Sequence, residues 1–220
     1  MTPDNTELSR TNIRQESISF IADALCSTPM NKKGFFSLLD DSDIFNDILD
    51  APQLASDIQA HPTKTHMSPY LPVYVGCRHF LRQRGITSRD VADYVAAVCV
   101  HFVYAGQFDD DSTLLNPMTY VDNASSQIQQ LLWANQSLQA SEIQIHIANY
   151  ILFLTGMLPR AVESRKLEGE YPSHVYEEIG VKGYATLCEV KDPKGVFETL
   201  STRFTDIKHA LNDLSTSAFV

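Results

Sequence analysis

Residues Ser141 to Pro159 read SEIQIHIANYILFLTGMLP and contain no Lys or Arg. Ile143, Ile147, Ile151, Leu154 and Leu158 recur at helical spacing, and Ile145, Ala148, Leu152 and Phe153 fill most of the remaining circumference. A helix that is apolar nearly all round is stable where neighbours cover every side of it. The run therefore predicts an all-α fold, a single-domain bundle of about 8–9 helices around a buried central helix at 141–158. A membrane span fits the stretch less well. Its apolar part is about 16 residues, short of the roughly 20 a bilayer requires. Glu142, Gln144, His146 and Asn149 crowd its first half, and the positive flank is one-sided, at Arg160, Arg165 and Lys166.

Charge narrows the function classes. The formal net charge is -10, and no Lys or Arg occurs from Asp90 to Pro159. Nucleic-acid binding rests on Lys and Arg contacts to phosphate, so no nucleic-acid partner is expected. The same scarcity of cations argues against binding to an anionic membrane surface. The four cysteines, Cys26, Cys77, Cys99 and Cys188, form no C-x-x-C pair and match no zinc spacing. The polar start, MTPDNTELSRTN, has no apolar signal core. A cytoplasmic, acidic protein is the expectation.

Helix signals recur along the chain. Asn5 or Thr6 caps a first helix to about Ser27, where Thr28-Pro29 stops it. DSDIFNDILDA is a short amphipathic helix opened by Ser42, and Pro52 permits another short turn. AHPTKTHMSPYLP reads as a loop between an N-terminal lobe (about 1–60) and a main bundle (about 69–217) within one domain spanning 1–220. A helix starting at Ser68-Pro69 or Leu71-Pro72 ends at Gly85. Thr87 and Asp90 resemble a capping box ahead of DVADYVAAVCVHFVYA. Residues 106–120 form the longest irregular stretch, and loops of that length tend to be functional. Helix returns near Val121, and Trp133 falls off its apolar stripe. The helix starting at Pro172 and Ser173 carries Gly180 and Gly183, two bare patches that let a neighbour approach closely. After Asp192-Pro193, the residues Phe197, Leu200, Phe204, Ile207, Leu211 and Leu214 follow a near-heptad pattern. That pattern suits a core-facing helix. Its sharper reading is a seam for a protein partner or a homodimer.

Chemistry-bearing motifs are weak. Four of the seven histidines have a carboxylate one helical turn away. With acids at about 12% of positions, roughly three would do so by accident. A di-iron bundle needs two Glu-x-x-His motifs, and the chain has only Asp206-x-x-His209. HExxH, GxSxG, GxGxxG and the P-loop do not occur, and no metal site is expected. Asp109-Asp110-Asp111 and Asp40-Asp41-Ser42-Asp43 lack the Gly and Glu of a calcium loop.

Two groups of residues remain as candidate binding sites. His101 and His146 lie in helices read as buried, with Tyr104 and Tyr150 close in sequence. Facing one another, they would line an internal pocket. Arg78 and Arg82 are one turn apart and suit a carboxylate or phosphate, or pair on a solvated face with Asp90, Asp93 or the acidic N-terminal lobe. The expectation is a non-enzymatic protein-interaction or regulatory module. The alternative is a helical bundle binding a small molecule, metal or haem-type cofactor, or an enzyme, with a His/Tyr-lined pocket.

Overall fold

The computed structural model describes residues 20–25, 35, 41–61, 70–104, 117–134, 137–167, 172–192 and 194–217. The protein is all-α: among the described residues there is no strand. No helix among them is long and apolar enough to cross a membrane. After a helical segment at 20–25 come α1 (Ser42–Leu49), α2 (Pro52–Ala60), α3 (Tyr70–Gln83) and α4 (Arg89–Tyr104). These are followed by α5 (Pro117–Trp133), α6 (Ser137–Met157), α7 (Pro159–Leu167), α8 (Ser173–Lys191), α9 (Val196–Thr202) and α10 (Phe204–Thr216). The described residues fall into two compact units. One comprises those up to Ala97 together with those after Asn212, and the other comprises Val98–Asn212.

In the first unit, the helix starts and the end of α3 have local causes. Asp41 caps α1, its Oδ1 accepting from the backbone of Asp43 at 2.9 Å and Ile44 at 3.3 Å. Phe45 and Leu49, four apart, carry the buried face of α1. Pro52 occupies the first position of α2, where its missing N–H costs nothing. Leu54, Ala55 and Ile58 are buried, and α2 packs on α3. Pro72 lies in the first turn of α3. At the other end Gly85 adopts φ 74°, and the Gly85 and Ile86 N–H groups donate to the Arg82 and Leu81 carbonyls. The cap of α4 is Ser88, one residue beyond the Thr87 suggested by the sequence, and its Oγ accepts from Val91 N at 3.4 Å.

In the second unit, α6 packs on α5, α7 and α8. Every residue from Ile147 to Met157 is buried. The two polar residues in that run are satisfied: Asn149 Oδ1 accepts from the Tyr184 hydroxyl at 2.8 Å, and the Thr155 hydroxyl donates to the Ile151 carbonyl. The two glycines of α8 do what their spacing suggests. A Cβ on Gly183 would stand 3.0 Å from the Ala148 Cβ, and one on Gly180 would meet Phe204 and Ile151. Gly156 of α6 is pressed in the same way against Leu211.

Further boundaries differ from the sequence reading: α6 begins at Ser137 and ends at Met157 rather than spanning 141–158, and its first turns are partly exposed. Residues 117–120 are helical, because Pro117 opens α5 and a proline suits that first position. The rest of the 106–120 stretch, the 62–69 segment and the first helix before residue 20 lie outside the described residues. The C-terminal stripe is also not one helix: it breaks at Arg203, which leaves the helical region at φ -116°, ψ 23°. Phe197, Leu200, Phe204, Ile207, Leu211 and Leu214 are all buried within the chain itself.

Candidate functional site

The first unit concentrates its buried charge at one place. Arg78 projects from the middle of α3 and is only 3% exposed. Its Nε and Nη2 donate to Asp93 Oδ1 at 3.3 and 2.8 Å. Nη1 donates to the Asn46 carbonyl and to Asp50 Oδ1, both at 3.2 Å, and Nη2 also reaches Asn46 Oδ1 at 3.1 Å. A guanidinium has five N–H donors, and these five bonds use them all. The Tyr74 ring lies under the cation, 4.9 Å from its carbon to the ring centre.

Asp50, at the C-terminal cap of α1, is shared among three arginines. Besides Arg78, it meets Arg82 Nη2 at 3.0 Å and Arg89 Nε at 2.8 Å. Arg89 also reaches Asp47 at 2.5 Å. Burial pushes the Asp50 carboxyl up, but Arg78, Arg89 and Arg82 outweigh it and hold the group below the usual carboxylate range. Arg78 thus grips carboxylates, as its residue type suggests, and those carboxylates belong to this chain.

Arg82 is in a different position. Its side chain is 44% exposed and lines a cleft of about 200 Å³. Leu49, Ala55 and Val75 form apolar walls, and His79 and Gln83 stand beside Arg82. Gln83 Nε2 lies 2.8 Å from His79 Nε2, a contact in which the amide donates to a neutral imidazole. Burial and the Arg82 charge both lower the proton affinity of His79.

In the second unit, α4 and α6 bring His101 and His146 together, with ring centres 6.4 Å apart and the planes nearly perpendicular. Both are half-buried. Phe102 fills the angle between them and Tyr150, 5.6 Å from the His146 ring and 6.0 Å from the Tyr150 ring. Burial, and next the charge of His101, lower the proton affinity of His146. Tyr104 ends α4, and its side chain lies outside the described residues. Among the described residues, no group of three or more His, Cys, Asp or Glu is placed to hold a metal ion.

Trp133, the only tryptophan, is 91% exposed at the end of α5, and its neighbour Leu132 is 51% exposed. The sequence singles out Arg78, Arg82 and the histidine pair and offers Asp93 as a partner on a solvated face, whereas the Arg78–Asp93 pair is buried; Asn46 and Asp50, which lie 32 and 28 residues from Arg78, are not singled out. Compared with models of protein families, with curated proteins and with solved structures, the chain matches none.

Proposed function

We propose that this chain is a non-enzymatic interaction module that binds a protein partner through the end of α5. The observation that carries the reading is Trp133, 91% exposed beside a half-exposed Leu132. Tryptophan is a residue that proteins keep out of water unless something else covers it, and it dominates binding energy where interfaces form. The surrounding surface suits contact with another polypeptide. From Pro117 to Ser141 the only charged residue is Asp122, in a chain of net charge -10. Little desolvation of charge therefore opposes docking there. Because the C-terminal stripe is buried in the chain's own interior, a partner or second copy is better sought at α5. Cytoplasmic location, the single-domain organisation and a bundle centred on α6 belong to the same proposal.

The test is a photo-reactive phenylalanine at position 133 in the cell, with the exposed His209 as control position. Discrete adducts at 133 and none at 209 support the reading, and an adduct of twice the chain mass identifies a second copy. Equal or no adducts at the two positions overturn it.

A second reading rests on the 6.4 Å approach of His101 and His146: a small molecule, metal or haem-type cofactor bound there. It expects the purified protein to retain a ligand in native mass spectrometry or absorption, and the double alanine variant to lose it. A ligand retained unchanged by that variant removes it.

A further inference from the structure

We propose that the cleft beside Arg82 is a binding site for a small monocarboxylate, with the acid on Arg82 and the apolar body against Ala51 and Pro52. The guanidinium is half committed. Nη1 donates to the Asp50 carbonyl at 3.3 Å and Nη2 meets Asp50 Oδ2 at 3.0 Å. Nε and one hydrogen on each terminal nitrogen remain without a protein acceptor among the described residues. Asp50 fixes the arginine, so a ligand meets donors already oriented. Arg78 cannot share this task, since every one of its donors is used.

Size and charge choose the ligand class. Drug-sized ligands take about 300 Å³ or more, so a cleft of about 200 Å³ admits only something smaller. The accessible apolar wall, from Ala51 and Pro52 above the covered side chains of Leu49, Ala55 and Val75, calls for a hydrocarbon or aromatic body. A dianion such as phosphate is disfavoured, because the Asp50 carboxylate stands 3.0 Å from the same guanidinium. Neutral His79 adds no second cation, so a single negative charge is the match. Ala51, at the start of α2 and in the cleft wall, has no side-chain cap, which adds a weak field of the same sign. This inference is independent of the partner surface at α5.

The test is fluorine NMR of fluorobenzoate with the full chain, against the neutral analogue fluorobenzamide. Saturable broadening of the benzoate at millimolar concentration, with none for the amide, is expected. Arg82→Gln should weaken binding by about tenfold, the worth of hydrogen bonds to a charged group. Pro52→Asp is the second variant. It places a carboxylate at the exposed edge of the cleft, at a helix start where Asp is favourable, and should also abolish the broadening. Absence of broadening in the wild type, equal binding of the amide, or unchanged affinity in either folded variant overturns the proposal.

Discussion

Arg78 donates to one oxygen of Asp93, Oδ1, from both Nε and Nη2, and the two side chains are only 2% and 3% exposed. Removing one partner of so dry a pair strands the other. Arg78→Met should therefore cost about 3–5 kcal/mol in urea unfolding followed by far-UV circular dichroism. Removing both charges in Arg78→Met/Asp93→Leu should restore part of that loss. A single variant within 1 kcal/mol of wild type, by the ~1 kcal/mol typical of point changes, would contradict this account.

Asp50 sets the acid limit of the first unit. Its folded proton affinity lies below the ordinary carboxylate value of 3.8, so the unfolded chain takes up the proton first as pH falls. The stabilisation is complete above that ordinary value and is lost as pH falls through the folded one. Denaturation midpoints measured from neutral pH to about pH 3 should drop steeply at the acid end. Asp50→Asn should be weaker at neutral pH and show a flatter acid arm.

His146 acts on a different window. Its proton affinity is depressed below the ordinary value of 6.5, first by burial and then by His101. The neutral ring is the form that suits the fold, so its stability is full above about pH 6.5 and declines as pH drops towards the folded value. His146→Gln should remove that decline, and a proton NMR titration of the ring signals should place His146 below the ordinary histidine value of 6.5 in the wild type. An unchanged pH profile in the variant would assign the dependence elsewhere.

Gly180 is occupied space in all but name. A Cβ there would fall 2.6 Å from Phe204 Cε2 and 3.2 Å from Ile151 Cγ2. Gly180→Ala should destabilise by about 1–3 kcal/mol from overpacking, against roughly 1 kcal/mol gained in helix propensity. Gly183→Ala, with its nearest approach at 3.0 Å to a methyl group, should cost less. Equal stabilisation by both substitutions in urea melts would mean the helices separate freely.

The start of α4 separates two neighbouring hydroxyls. Ser88→Ala should cost about 0.5–2 kcal/mol, the range for a lost cap, and Thr87→Ala far less. Reversal of that order in the same melts would restore Thr87 as the cap.

How far these features were legible depended on the range of the interaction. The buried run Ile147–Met157 of α6 could be read because a stretch that is apolar nearly all round and too short to span a bilayer is stable only where neighbours cover it. Gly85, Pro52 and the Gly180/Gly183 pair were legible because turns, helix starts and close approaches act on a few adjacent residues. Arg78 was singled out from its residue type and Asp93, 15 residues on, was within reach of the same reading, but Asn46 and Asp50 were not, since they lie 32 and 28 residues away. Burial that distant carries no periodic trace. The break at Arg203 was hidden for a related reason: the apolar spacing continues through it, and only the backbone records that two helices share the stripe.

The lone indole at position 133 already faces water in the native chain, so its emission should be red-shifted before any denaturant is added. Fluorescence would follow the loss of structure poorly here. The same trait makes it a clean reporter of contact: a blue shift means that something has covered α5. The buried phenols of Tyr74, Tyr150, Tyr176 and Tyr184, read by near-ultraviolet dichroism, are the groups that would register unfolding.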